Sequence, residues 1–166
     1  MGGAATAVAW KVGESVDGSE ELAKQVGNTP NSISYLDPVV VQQKHLTFVK
    51  MRNHDGVFVS PNQRAFAAAA AKAKWNAATG YNQSLTDQPG PESWPLVTAT
   101  YVIFSRAPME VNGTEAALRY FDWTFRNGNQ IAQSYGFALI PAEAMQSVRE
   151  LWKMQIKDRA GRPLWK

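Results

Sequence analysis

Short apolar runs and stretches with helical spacing alternate along this chain, and together they predict an α/β protein. The runs that predict strands are rich in β-branched and aromatic residues. They lie at residues 32–36, 46–51, 57–59 and 96–104. Asp55 and Gly56 separate the second run from the third, and they predict a tight hairpin because Asp-Gly tolerates the positive φ of such turns.

Capping residues indicate where the helices begin. The clearest start is Ser60, which precedes Pro61 at the first helical position and Gln63 three residues after the cap. The alanine-rich helix that it opens is predicted to run to about Trp75. Four other helix starts are predicted at Ser19, Asp37, Thr114 and Pro141.

Residues 87–95 interrupt this pattern of helices and strands. Three prolines and a glycine within seven residues fix φ repeatedly and remove backbone donors, which excludes both a helix and an inner strand. Residues 96–104 are apolar on both alternating faces, as in a strand that is buried on both sides. We therefore expect a stiff crossing from one α/β unit to the central strand of another.

Composition and charge exclude several functional classes. Hydrophobic residues make up 45% of the chain and charged residues 19%, which is typical of an ordinary globular protein. The net charge of +3 comes from scattered Lys and Arg residues, so we expect no nucleic-acid surface. The chain has no cysteine, which excludes disulfides and thiolate chemistry. No stretch of the sequence predicts a membrane span or a signal peptide.

Catalytic, metal and cofactor chemistry find no support in the residues. His45 and His54 lack acidic or histidine partners at metal-ligand spacing. The chain contains neither a Gly-x-Ser-x-Gly elbow nor a phosphate-cradling P-loop. Four aromatic residues at helical spacing are predicted to be core residues: Tyr120, Phe121, Trp123 and Phe125. We therefore expect a protein that is not an enzyme and that carries no metal or cofactor.

Several motifs resemble the phosphate-binding proteins of bacterial phosphate ABC importers (the Pst type), over their C-terminal half only. The motifs occur in family order and cover nearly the whole chain. They are Thr-Ala-Val-Ala-Trp at 6–10, Thr-Pro-Asn-Ser-Ile-Ser-Tyr at 29–35, Ser-Leu-Thr-Asp-Gln-Pro-Gly at 84–90 with Ser-Trp-Pro at 93–95, Tyr-Phe-Asp-Trp at 120–123, and Ile-Lys-Asp at 156–158 with Gly-Arg-Pro-Leu at 161–164.

This resemblance implies the C-terminal portion of a type II periplasmic-binding-protein fold, which spans parts of two lobes. Residues 1–92 would form the C-terminal part of the second lobe, and residues 93–166 would return to the first lobe through a crossing near residues 88–95. The hinge would consist of Glu92, Ser93, Trp94 and Pro95. Tyr35 and Trp94 are candidates for residues near the ligand cleft, and packing alone explains each of them equally well.

The function that the resemblance implies is binding of inorganic phosphate for uptake by an ABC importer in the periplasm, with the membrane permease as partner. The phosphate-binding motifs of the family precede the matched region, so no residue here inherits a ligand role. The alternative is a non-transport interaction or oligomerisation module of the same fold. Lobes that lack part of their sheets would also expose apolar edges, so we expect self-association or a swapped oligomer.

Overall fold

The computed structural model describes residues 10–166 and divides into two compact units, Met1–Thr47 and Phe48–Lys166. The alternation of small and apolar residues from Ala4 to Trp10 also predicts a short strand, and it lies outside the described residues apart from Trp10, which is in no strand. The predicted crossing at residues 88–95 lies within the second unit.

The first unit contains two helices, α1 (Gly18–Asn28) and α2 (Pro38–Gln43). The N-cap of α1 is Asp17, so the prediction of Ser19 as cap is wrong by two residues. The N-cap of α2 is Asp37, as predicted. The strand predicted at residues 32–36 is absent, and both Ile33 and Tyr35 are exposed there.

A hairpin opens the second unit, at the turn that Asp-Gly predicts. Its strands are β1 (Met51–Arg52) and β2 (Phe58–Val59), which pair antiparallel with Met51 opposite Val59. Gly56 has a φ of +81°, the conformation that glycine adopts without steric cost. The hairpin prediction is confirmed, although both strands are shorter than the apolar runs.

Helix α3 (Gln63–Lys72) comes after the hairpin, and a 3-10 turn (Ala77–Thr79) comes after α3. The N-cap of α3 is Asn62, whose side chain accepts a hydrogen bond from the Ala65 N–H at 2.9 Å. The predicted cap, Ser60, lies two residues too early. The helix also ends before Trp75, whose indole N–H donates to the Ala70 carbonyl at 2.8 Å.

Three helices complete the second unit: α4 (Val111–Asn127), α5 (Asn129–Ser134) and α6 (Ala142–Gln155). Helices α4 and α6 contribute Leu118 and Trp152 to a core that also contains Ile156. Phe125 stacks on Trp152 with ring centroids 5.9 Å apart, and Trp165 meets the same indole edge-on at 5.5 Å. The aromatic residues of this core thus join α4 to α6 and to the C-terminal segment.

Residues 96–104 form no strand, so the prediction of a central strand is wrong for the part of the chain that the structure describes. A strand requires neighbours that accept and donate its backbone hydrogen bonds. The two strands that residues 10–166 contain pair only with each other. The fold is therefore a mixed structure of helices and one small sheet, and the type II two-lobe arrangement stays a prediction.

Candidate functional site

Asn53 fastens the loop of residues 87–95 to the hairpin. Its side-chain Nδ2 lies 3.0 Å from the carbonyl oxygen of Gly90, 3.1 Å from that of Pro91 and 3.2 Å from that of Ser93. Its Oδ1 accepts a hydrogen bond from the Val57 N–H at 2.9 Å. Asn53 is only 6% exposed, so these bonds form largely away from water. One amide thereby holds the backbone of the loop at three of its residues.

A second contact with the hairpin holds Gly90. The carboxylate of Asp55 accepts a hydrogen bond from the Gly90 N–H at 3.1 Å. Gly90 has a φ of +120°, and a Cβ at this position would lie 2.9 Å from the Ser93 Oγ. That Oγ donates to the Pro89 carbonyl at 2.9 Å. Both the backbone conformation and the close hydroxyl therefore require glycine here.

Helix α3 supports the other side of the loop. The Trp94 N–H donates to the carbonyl of Ala65 at 3.1 Å, which joins the loop to the first turn of α3. The Arg64 guanidinium makes two hydrogen bonds to the Glu92 carboxylate, at 3.1 and 2.5 Å. Because both side chains are well exposed, this ion pair contributes at most about 1 kcal/mol to stability. The buried backbone bond is the firmer of the two anchors.

The predicted hinge residues are adjacent in this loop but differ in their environments. Ser93, Trp94 and Pro95 are buried, while Glu92 is exposed and bound to Arg64. Trp94 is 7% exposed and packs inside the second unit. Tyr35 belongs to the first unit and is 76% exposed. Their hinge and cleft roles stay predictions.

Sequence reasoning missed the residues that hold the loop. The local pattern identifies Asn53 and Asp55 only as turn residues, and Arg64 as an ordinary helix residue. Nothing local indicates their partners, because Asn53 lies 37 residues before Gly90 and Arg64 lies 28 residues before Glu92. The one available signal is an asparagine in a hairpin, together with a run of prolines that lack their own donors.

A buried carboxylate joins α4 to α6. The Asp122 oxygens lie 2.6 Å from the Arg149 Nε and 2.9 Å from the Arg126 Nε, and Asp122 is nearly fully buried.

On the opposite side of α4, Tyr120 and Trp123 are exposed, so the prediction that they are core residues is wrong. Only one side of α4 is covered in the described structure, and Phe121 and Phe125 lie on it as predicted.

Asp158 organises the C-terminal turn. Its Oδ1 accepts hydrogen bonds from the N–H groups of Ala160 and Arg162, at 2.8 and 2.9 Å. The Arg162 side chain donates to Oδ2 at 2.7 Å. The bonds from the backbone and side chain of Arg162 lower the pKa of Asp158, because they favour the ionised carboxylate.

The described residues contain neither a metal-binding cluster nor a membrane-spanning helix. Within residues 10–166, no group of three His, Cys, Asp or Glu side chains could hold a metal ion. In the same range, no helix has the length and apolar character that crossing a membrane requires.

An open depression of about 420 Å³ lies in the first unit, where Glu20 pairs with Lys44 and Glu21 with Lys24.

Comparison with known proteins identifies the class to which this chain is related: the phosphate-binding proteins of bacteria. It is 31% identical over 163 residues to the phosphate-binding protein PstS of Pasteurella multocida, which covers 98% of this chain and 47% of that protein. It is 30% identical to PstS of Haemophilus influenzae, over 94% of this chain and 47% of the relative. A PstS of Xylella fastidiosa is 26% identical, over 93% of this chain and 43% of the relative. No protein-family profile matches the chain.

These relatives confirm the resemblance to Pst-type phosphate-binding proteins. The chain spans about half the length of the curated relatives it matches. Such coverage agrees with similarity to one half of these proteins, which the order of the motifs predicts to be the C-terminal half.

Proposed function

We propose that this chain forms part of a periplasmic phosphate-binding protein that delivers inorganic phosphate to the membrane permease of an ABC importer. The observation that carries the proposal is the 31% identity to a phosphate-binding protein over 98% of this chain. In this function the protein binds phosphate without transforming it, so it is not an enzyme. The described residues offer no observation that favours the alternative of a non-transport interaction module.

The groups that hold phosphate would lie in the half of the relatives that this sequence does not match. A desolvated phosphate needs free, converging donors such as backbone N–H groups and Arg side chains. In the loop of residues 87–95, four N–H groups already donate to protein acceptors: those of Asp87, Gly90, Ser93 and Trp94. The Arg64 guanidinium is bound to Glu92. This loop is therefore built as a support rather than as an anion site.

The contribution of this chain would be the pivot and part of the cleft wall. Under the two-lobe prediction, residues 1–92 belong to one lobe and residues 93–166 to the other, with Glu92, Ser93, Trp94 and Pro95 as hinge. The hydrogen bonds from Asn53 to the backbone of residues 90–93, and from the Trp94 N–H to the Ala65 carbonyl, support a hinge whose backbone is held in place. Of the two candidate cleft aromatics, Tyr35 is the better one, because its exposed ring is free to face a ligand whereas Trp94 is buried.

A calorimetric titration tests the function. Phosphate is titrated into this chain alone, into the unmatched half of Pasteurella multocida PstS alone, and into the two together, with sulfate as the control anion. We expect no uptake by this chain alone and stoichiometric, phosphate-selective uptake by the mixture. Tight uptake by this chain alone would contradict the proposed location of the ligand groups. A mixture that forms a complex and still binds no phosphate would refute the function.

A further inference from the structure

The side of helix α4 that faces away from the core carries two arginines and two aromatic residues. Arg119, Trp123 and Arg126 are spaced at i, i+4 and i+7, so they lie on one side of the helix. Tyr120 lies one turn before Trp123, and the two residues are 61% and 56% exposed. We call these four residues the outer face of α4. Arginine, tryptophan and tyrosine are the residue types that are most enriched where binding surfaces gain their energy.

The outer face is positively charged because its cations project further than the carboxylates that pair with them. The Arg119 side chain is 75% exposed and its partner Glu115 33%. The Arg126 side chain is 64% exposed and its partner Asp122 only 11%. Asp122 also binds Arg149, so three guanidinium groups share two carboxylates. The second unit as a whole has 14 Lys and Arg residues and nine Asp and Glu residues. The outer face is therefore complementary to an anionic partner.

We infer that the outer face of α4 binds the surface of an anionic phospholipid membrane. The helix lies along the membrane, and its exposed guanidinium groups bind lipid phosphates. The rings of Trp123 and Tyr120 enter the headgroup layer, which suits them because each has an apolar ring and a polar tip. With 17 residues, α4 is about 25 Å long and contacts several headgroups at once.

The composition of the outer face favours a membrane over an acidic protein as the partner. A helix that binds in a protein groove uses a row of apolar anchors at i, i+3, i+4 and i+7. The outer face has two apolar side chains, Tyr120 and Trp123, and the next turn presents Arg126 and Asn127 instead. A membrane requires no matching groove, and it offers phosphates all along the helix. Two aromatic rings between arginines therefore suit a lipid surface better.

This inference goes beyond the proposed function, since it depends neither on free phosphate nor on the unmatched half of the relatives. Flotation of the full chain with vesicles in a density gradient tests it, because bound chain rises with the lipid while self-associated chain sinks. The vesicles contain phosphatidylcholine alone, or phosphatidylcholine and phosphatidylglycerol in equal parts. We expect a partition coefficient at least about tenfold higher for the anionic vesicles, and we expect it to fall as sodium chloride is added.

Two matched pairs of substitutions locate the binding surface. Arg126→Gln should lower the partition coefficient for anionic vesicles about fivefold, because it removes one cation from the outer face. Arg159→Gln, at an exposed arginine of the C-terminal turn, is its control and should change the coefficient less than about twofold. Trp123→Ala should also lower the coefficient at least about fivefold. Its control is Trp10→Ala, at a residue of the first unit that is 74% exposed.

Every other result counts against the inference. Absence of binding to anionic vesicles would overturn it. Equal binding to both kinds of vesicle would indicate apolar adsorption, for example through residues 96–104, and would overturn it too. So would equal losses within either pair of variants, provided that their thermal unfolding midpoints match that of the natural chain. Stronger displacement by inorganic phosphate than by chloride at the same ionic strength would identify a site for the free anion instead of the lipid. A failed phosphate titration, in contrast, bears on the proposed function alone.

Discussion

Asn53 shows how one side chain can decide the course of a loop that lies far away in the sequence. Its amide nitrogen faces three carbonyl oxygens, although it has only two hydrogens to donate, so at least two of these oxygens share one N–H. Its own carbonyl is occupied by the Val57 N–H. The prolines of the loop have no N–H of their own, and this external donor gives their neighbours a fixed arrangement.

Removal of this amide should destabilise the protein more than removal of an exposed one. Asn53→Ala removes the donor of the Pro91 carbonyl and of the buried Ser93 carbonyl, while the Gly90 carbonyl keeps its hydrogen bond from the Ser93 N–H. We expect a loss of about 1–3 kcal/mol in the free energy of unfolding, measured by urea denaturation. Asn127→Ala is the control, because the Asn127 amide also donates to a backbone carbonyl, at Trp123, but on the surface. Equal losses for the two variants would contradict the role given to Asn53.

Asp158 predicts a pH-dependent contribution to stability. Its pKa is lowered in the folded protein, chiefly by the hydrogen bonds from Arg162, so the folded state favours the ionised form. The contribution is therefore fully present above the ordinary aspartate pKa of about 4 and is lost as the pH falls through the lower folded-state pKa. Asp158→Asn should lower the thermal midpoint at pH 7. The difference in thermal midpoint between the variant and the natural chain should shrink below about pH 4. A difference that stays constant down to about pH 2 would rule out this linkage.

The elements differ in how far local sequence determines them. The hairpin is predictable from Asp55-Gly56, because the turn conformation is a local property. Helix α4 is predictable from the spacing of its apolar residues, although only the side with Phe121 and Phe125 is covered. The strand predicted at residues 96–104 does not form, because strand pairing depends on partners that the sequence of the strand does not contain. The prolines identify the loop itself, whereas its supports at Asn53 and Arg64 depend on tertiary contacts.

The start of α3 provides a direct test of a local prediction that the structure corrects. Asn62 caps the helix through its bond to the Ala65 N–H, whereas Ser60 precedes the cap. Asn62→Ala should lower the free energy of unfolding by about 0.5–2 kcal/mol, measured by urea denaturation. Ser60→Ala should change it by no more than about 0.5 kcal/mol. A larger loss for Ser60→Ala than for Asn62→Ala would indicate that Ser60 is the cap.

As a polypeptide, this chain combines a well-packed second unit with apolar segments that nothing in the described residues covers. The core around Leu118, Trp152 and Ile156 is that of a stable structure. Residues 96–104, in contrast, expose on both faces the side chains that a sheet would bury. The PstS relatives are about twice as long as the portion that this chain matches. Because this exposed surface is apolar, we expect the isolated chain to self-associate.

The most direct test is a crystal structure of this chain with the unmatched half of Pasteurella multocida PstS and bound phosphate. We expect the phosphate oxygens to be held by donors of that half, residues 96–104 to be hydrogen-bonded along both edges, and Glu92, Ser93, Trp94 and Pro95 to lie in a passage between two lobes. A structure in which this chain supplies the phosphate ligands, or in which residues 96–104 stay unpaired, would contradict the proposed division of roles.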